Sequence, residues 1–273
     1  MEYNIRPLSF AEILDRSFRV LVDNAVLLIG IAAPLGIAES ALKGPGTWFQ
    51  VAFFLIALVG GPLIQATLTC AVADTYLDKP VTIASAYKSA WSIILPIFGT
   101  YLLVYALFAL GGGAFALMGM AAKHGASKAL GFIIIVAIIA AIPLTFYLMV
   151  RWSLLGPIMI VERRFGLAAL RRSNELVRGV WWRTLGIILV AAIIVRIPLG
   201  VLDLLWSSIP VVGFTLGGLV SSIGYAYSAV VLIVYYFDRR CRIEDFDLRL
   251  LAEQIRSEGA PGSPAMTGAP SLD

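Results

Sequence analysis

The chain contains 273 residues, of which 60% are hydrophobic and only 14% are charged, and its mean hydropathy is +0.90. Because soluble domains carry about 25% charged residues, this composition excludes a soluble globular protein and predicts an integral membrane protein. The net charge of +4 does not indicate nucleic-acid binding, since the basic residues lie beside apolar stretches and report membrane topology. The single histidine, His124, excludes a histidine-rich metal site, and we predict neither a metal nor a cofactor.

The first patterned segment extends from Ser9 to Asn24. Ser9 and Glu12 match a capping box, in which a hydroxyl and a carboxylate satisfy free backbone N–H groups at a helix start. Charged and apolar residues occupy opposite faces, which predicts an amphipathic helix on the membrane surface. The charged face holds Glu12, Asp15, Arg16, Arg19 and Asp23, and the apolar face holds Phe10, Ile13, Leu14 and Leu21. The apolar stretch 25–38 has the length of a signal-peptide core, but further spans follow, and we treat it as an uncleaved first span.

Six apolar stretches are long enough to cross the bilayer, whose core of about 30 Å needs roughly 20 apolar residues. We place them near 25–42, 48–73, 92–122, 129–150, 184–206 and 211–237. The third is long enough to tilt or break, and residues 111–113, all glycine, are the expected place for that. Residues 1–256 are thus predicted to form one all-α transmembrane domain, and the Gly-, Pro-, Ala- and Ser-rich tail 257–273 is predicted to be disordered.

The basic residues orient these spans. Most of the 21 lysines and arginines fall in segments on one side of the arrangement, and only Lys43, Lys123 and Lys128 fall on the other. By the positive-inside rule, both termini are then cytoplasmic. All six tryptophans lie at predicted span ends, where an aromatic belt is expected. The basic residues and the tryptophans thus predict the same topology. We expect the protein to lie in the plasma membrane.

A short pattern recurs along the chain. A basic residue followed by serine occurs at 16–17, 88–89 and 172–173, each time within an amphipathic stretch that leads into a pair of spans. The second of these surface helices would begin at Thr82. The pattern favours three copies of a unit made of one cytoplasmic surface helix and one helical hairpin. The alternative is that loops of this kind recur by chance in a six-span protein.

The largest charged segment, from Glu162 to Arg183, is the third predicted surface helix. Its basic residues and tryptophans suit anionic lipid headgroups, at about 1 kcal/mol for each basic residue near the surface. Alternatively, the arginines only fix the topology. The candidate lipid contacts are Arg171, Arg172, Arg178, Trp181 and Trp182.

A possible polar cluster lies within the spans. Arg196 is about 13 residues beyond the inner interface, which corresponds to a depth of roughly 20 Å. An arginine near the membrane centre costs about 2.5–3.5 kcal/mol on insertion scales and normally faces a partner or water. Asp203 lies on the same helical face, and Glu39 is expected at comparable depth. These three residues could line an outward-facing cavity, or Arg196 could snorkel outward and pair structurally with Asp203.

No catalytic constellation is visible in the sequence. His124 alone cannot supply a paired acid and base, and the chain contains neither a Gly-rich phosphate loop with its lysine nor metal-ligand spacing. We therefore predict that the protein is not an enzyme.

Three segments resemble a bacterial membrane-protein family: Arg6–Phe18, Leu170–Arg183 and Tyr235–Asp238. The family is the one named after the membrane domain of glycerophosphoryl diester phosphodiesterase, and the resemblance covers roughly residues 1–255. In relatives of that kind the membrane part is fused to a phosphodiesterase domain, for which the soluble segments here are too short. The resemblance implies a six-span protein of the bacterial inner membrane with no assigned role.

Two functions follow from these observations. The first is a non-enzymatic protein that organises or assists membrane components at the cytoplasmic face. Its candidate partners are the bilayer, anionic lipid headgroups and another membrane protein. The alternative is a transporter or lipid-handling protein that uses the polar cluster of Arg196, Asp203 and Glu39.

Overall fold

The computed structural model describes residues 6–42, 46–76, 80–123, 128–206 and 210–244, and within these ranges the regular elements are helices. A short helix, α7, continues directly into a π-helical segment, Ile158–Glu162. The α-helices are α1 (Phe10–Asp23), α2 (Ala25–Ala41), α3 (Thr47–Tyr76), α4 (Ile83–Trp91), α5 (Ile94–Lys123), α6 (Lys128–Arg151), α7 (Leu155–Pro157), α8 (Gly166–Val177), α9 (Trp181–Trp206) and α10 (Pro210–Glu244).

Four helical stretches are long and apolar enough to cross a membrane. Two further candidates are bent pairs of helices, α1 with α2 at 84° and α4 with the first part of α5 at 67°. The prediction of an all-helical membrane protein is therefore confirmed, with four to six candidate spans among the described residues. The four unbent candidates are Thr47–Thr75, Ile139–Glu162, Trp181–Leu202 and Thr215–Glu244.

The long helices begin and end close to the predicted spans. Helix α5 runs through residues 111–113 without interruption, although three consecutive glycines were the expected place for a tilt or break. After Arg151 the chain makes a turn and continues as helix to Glu162. Its residues Leu154, Ile158 and Met159 are buried in the core. The predicted disordered tail, 257–273, lies outside the described residues.

Helix α10 is the centre of the bundle and packs against α1, α2, α3 and α9. Its large side chains Tyr227, Tyr235, Tyr236 and Phe237 are almost completely buried. In contrast, α2 and α10 approach each other through small residues. A Cβ atom added to Gly36 would lie 2.3 Å from the Gly218 carbonyl oxygen, so this part of the core depends on backbone contact.

The short helices have well-defined starts. The predicted capping box at Ser9 and Glu12 is confirmed, and Thr82 caps α4 with Ser85 in the same manner. In α1, Ile13 and Val20 are buried, whereas Phe18 is 55% exposed. These caps fix where α1 and α4 begin, and α1 then lies against α10.

Candidate functional site

The carboxylate of Asp238, near the end of α10, is buried, and both of its oxygens accept hydrogen bonds. Its Oδ1 accepts hydrogen bonds from the Leu8 N–H at 2.8 Å and from Arg242 Nε at 2.9 Å, and its Oδ2 accepts one from Arg183 Nη2 at 3.3 Å. Both arginines also donate to the Leu8 carbonyl oxygen, at 2.8 Å and 2.6 Å. This Asp238 cluster (Leu8, Arg183, Asp238 and Arg242) therefore ties the chain before α1 to the ends of α9 and α10.

A second charged group, the Glu162 cluster, consists of Glu162, Arg172, Tyr236, Arg240 and Glu244. Arg172 Nε donates to both oxygens of Glu162, at 3.0 and 2.9 Å, and Arg172 Nη2 donates to Glu244. The Tyr236 hydroxyl donates to Glu162 at 3.0 Å, and Arg240 donates to Glu244 at 2.9 Å. The Arg172 and Glu162 side chains are only 12% and 9% exposed. The cluster joins the π-helical segment, α8 and α10.

The electrostatics of the Glu162 cluster favour a permanently charged Arg172. Burial opposes the charged guanidinium, but its interactions with Glu244 and Glu162 outweigh burial and raise the pKa of Arg172. Removing one partner of a buried ion pair typically costs about 3–5 kcal/mol, because the remaining charge is left unpaired. The ion pairs of Arg172 therefore hold α8 against the π-helical segment and α10.

The segment Tyr235–Asp238 supplies side chains to both clusters. The Tyr235 and Thr184 hydroxyls lie 2.6 Å apart, which joins α10 to α9, while Tyr236 and Asp238 bind the charged partners described above. Phe237 is 1% exposed. Three of its partners, Leu8, Glu162 and Thr184, are far away along the chain.

The five predicted lipid contacts have different environments. Arg171 and Arg178 are exposed, and Trp182 is 79% exposed. Trp181 stacks on Tyr147 with ring centroids 5.8 Å apart, and its indole N–H donates to the Tyr147 carbonyl oxygen at 3.3 Å. Arg172 forms ion pairs with the carboxylates of Glu162 and Glu244. The exposed surface therefore holds Arg171, Arg178 and Trp182.

The predicted intramembrane cluster is described only in part. Glu39 accepts a hydrogen bond of 2.5 Å from the Tyr225 hydroxyl, a contact between α2 and α10 that sequence reasoning did not anticipate. Arg196 is exposed on α9. Asp203 belongs to α9, but its side chain lies outside the described residues. The structure therefore joins Glu39 to Tyr225, a residue outside the predicted cluster.

A large cavity lies between α3, α5, α6, α7 and α10. Its volume is about 1430 Å³, and most of the side chains that line it are apolar or aromatic. Ile142 and Met149, both on its α6 wall, are 65% and 60% exposed, so the cavity opens to the surroundings of the protein. Representative lining residues are Gln65, Tyr101, Phe108, Phe146, Trp152 and Leu155. Sequence reasoning did not find this cavity, because five separate elements form its walls.

Titratable groups suited to metal binding are not gathered in the described part of the chain. No group of three or more His, Cys, Asp or Glu side chains there could hold a metal ion. Cys70 and Cys241 are both buried. What the described residues offer chemically is therefore ion pairing at one end of the bundle and an apolar cavity beside it.

Comparison with known proteins yields one family. No curated protein and no solved structure matches the chain. One family model matches residues 45–240, a range that takes in most of the helical bundle, including the cavity, Asp238 and every member of the Glu162 cluster except Glu244. On that match, the chain belongs to the family described as a domain of unknown function, DUF8558.

Proposed function

We propose that the chain is a bacterial inner-membrane protein with six spans, cytoplasmic termini and three repeats of a surface helix followed by a helical hairpin. The element order supports the repeats, because a short helix precedes two long ones at α1–α2–α3, α4–α5–α6 and α8–α9–α10. The basic residues support the orientation. The resemblance to the membrane domain of glycerophosphoryl diester phosphodiesterase supports the bacterial setting.

This topology is testable by chemical labelling. A cysteine introduced within 124–127 should react with a membrane-impermeant thiol reagent added to the outer side of the inner membrane. A cysteine in place of the exposed Arg171 should react only when the reagent reaches the cytoplasmic side. The reverse pattern would contradict the orientation.

Within this membrane, the protein binds a membrane lipid without catalysing a reaction on it. The observation that carries this function is the cavity of about 1430 Å³, which exceeds the roughly 300–1,000 Å³ of sites for small molecules. Its α6 wall extends from Ala137 to Met149, about 20 Å at 1.5 Å per residue, and Trp152 follows in the turn after α6. In the proposed orientation Trp152 is near the inner interface, so the cavity opens towards the acyl chains of the inner leaflet.

Mass spectrometry of the protein extracted in native membrane patches tests this function. Wild type should carry a lipid in fixed stoichiometry, and Ala141→Trp, which places a bulky ring in the cavity wall, should lose it. The matched control is Ala192→Trp, on an exposed site of α9 outside the cavity. Equal lipid content in all three proteins would contradict lipid binding in the cavity.

A second function, organisation of other membrane components at the cytoplasmic face, is favoured by the exposed corner of Arg171, Arg178 and Trp182. Basic and aromatic side chains of this kind suit anionic headgroups or an acidic partner protein. In the same membrane patches, a stoichiometric second protein that is present in wild type and lost from an Arg171→Gln/Arg178→Gln variant would support this function. No such loss would contradict it.

A further inference from the structure

Gln65 places an amide side chain in the wall of the cavity, in the middle of the long apolar helix α3. Its amide makes no hydrogen bond to any other described residue. The neighbouring threonines are satisfied within their own helix, since Thr67 donates to the Leu63 carbonyl at 2.8 Å and Thr69 to the Gln65 carbonyl at 2.7 Å. A glutamine amide offers two donors and an acceptor, and an unpaired amide is unfavourable in an apolar environment. Gln65 is therefore available to a ligand.

Gly156 in α7 lies beside Gln65 in the lining of the cavity. A Cβ atom added at Gly156 would lie 3.8 Å from Gln65 Nε2 and 3.5 Å from Thr69 Oγ1. A larger residue at this position would extend towards the amide. Glycine keeps the space beside the amide open.

Tyr101 and Tyr105 add two hydroxyl groups to the same cavity. They are one turn apart in α5 and their rings stack, with centroids 6.2 Å apart. Neither hydroxyl forms a hydrogen bond within the described part of the chain. Elsewhere, the hydroxyls of Tyr225 and Tyr236 each donate to a carboxylate. The hydroxyls of Tyr101 and Tyr105 thus lie, with the Gln65 amide, where a ligand in the cavity could meet them.

The cavity wall carries no charge among the described residues that line it. Burying a charged headgroup there would be costly, because no opposite charge would compensate its lost hydration. An uncharged oxygen, such as a carbonyl, could instead accept a hydrogen bond from the Gln65 amide or a tyrosine hydroxyl. The apolar remainder of the wall suits a hydrocarbon tail.

We infer that the cavity selects an uncharged lipid whose carbonyl-type oxygen is bound by Gln65, assisted by Tyr101 and Tyr105. This inference rests on the proposed lipid-binding function and names the class of lipid. Two sources share the chemistry: the ester carbonyls of a neutral glyceride and the ring carbonyls of an isoprenoid quinone. Charged phospholipids fall outside this class.

The test uses the full-length protein in phosphatidylcholine nanodiscs and native mass spectrometry. The probes are a long-chain diacylglycerol, a polyisoprenoid quinone and phosphatidylglycerol. We expect saturable binding of one lipid per protein for diacylglycerol or for the quinone, which identifies the source. Phosphatidylglycerol should neither bind in this manner nor compete.

The variant Gln65→Leu should bind the preferred neutral lipid about two- to tenfold more weakly, as expected for one net hydrogen bond. It removes an unpaired polar group and should fold normally. The matched control is Gln50→Leu, at an exposed site of the same helix outside the cavity, which should bind like wild type. Tyr101→Phe provides a second variant and should also weaken binding.

The results separate this inference from the function on which it rests. The inference is overturned if Ala141→Trp loses its lipid but Gln65→Leu and Tyr101→Phe bind like wild type. It is also overturned if phosphatidylglycerol binds as well as the neutral probes. In either case the cavity binds lipid without the proposed selectivity. If Ala141→Trp also retains its lipid, lipid binding in the cavity is overturned as well.

Discussion

The backbone N–H of Leu8 donates a hydrogen bond of 2.8 Å to the carboxylate of Asp238, 230 residues further along the chain. The Leu8 carbonyl oxygen is also engaged, since Arg183 and Arg242 both donate to it. Both backbone polar groups of one residue before α1 are thus satisfied by side chains of α9 and α10. This arrangement closes the bundle by joining the start of the chain to its last described helix.

Replacing Asp238 with asparagine should destabilise the protein. The two arginines would lose their shared carboxylate, and we expect the free energy of unfolding to fall by about 3–5 kcal/mol. Reversible unfolding in detergent micelles measures this change. Asp15→Asn is the control, because Asp15 pairs with Arg19 on the surface and both side chains are more than half exposed. This substitution should lower the free energy of unfolding by less than about 1 kcal/mol. Similar losses in the two variants would contradict the role given to Asp238.

Two adjacent arginines in α8 should respond very differently to replacement by glutamine. Arg172→Gln leaves the carboxylates of Glu162 and Glu244 without their shared cation, so the free energy of unfolding should fall by about 3–5 kcal/mol. Arg171→Gln alters an exposed side chain and should change it by no more than about 0.5 kcal/mol. Thermal unfolding of both variants in the same detergent makes the comparison, and equal midpoints would exclude a stabilising Glu162 cluster.

The contact between α2 and α10 predicts a strong position dependence for glycine substitutions. A Cβ atom at Gly218 would lie 2.5 Å from Ile37 Cα, a backbone atom that cannot move alone, so Gly218→Ala should cost about 1–3 kcal/mol. Nothing lies within 4 Å of a Cβ atom added at Gly200 in α9. There, alanine should be neutral or should stabilise the helix by up to about 1 kcal/mol. Retention of full stability by Gly218→Ala would show that the two helices are not in backbone contact.

The capping box of α1 predicts an acid-sensitive helix start. The Glu12 carboxylate accepts hydrogen bonds from the Ser9 N–H at 2.7 Å and from Arg6 at 2.6 Å, and these lower the pKa of Glu12 from 4.5 to about 2. Because the pKa is lower in the folded protein, the stabilisation is complete above about pH 4.5 and is lost as the pH falls towards 2.

Carboxyl-selective NMR of Glu12 measures this titration directly. Wild type should titrate near pH 2, and Arg6→Gln should move the pKa of Glu12 up towards 4.5 by removing one hydrogen-bond donor. An unchanged titration in Arg6→Gln would show that Arg6 does not contribute, and titration of wild type near pH 4.5 would contradict the capping geometry.

The sequence by itself determined the class of the protein and the positions of its helices. Composition, the length of apolar runs and local capping residues act over one helix at a time, so they are readable along the chain. They predicted a helical membrane protein, the capping box of α1 and the Thr82 start of α4. They also marked Arg171 and Arg172 as equivalent candidates for lipid contact, because neighbouring residues in one basic segment have the same local signal.

Only the tertiary structure distinguished such residues. Arg172 is held by Glu162 and Glu244 while Arg171 remains exposed. Asp238 accepts a hydrogen bond from the backbone N–H of Leu8, 230 residues earlier in the chain. The segment from Leu154 to Ile160 is buried because it meets other helices, although its sequence reads as part of a loop after a span. The cavity around Gln65 likewise exists only where separate helices leave space between them. Which side chains face one another across a bundle depends on helix rotation and depth, and these are set by packing between distant parts of the chain.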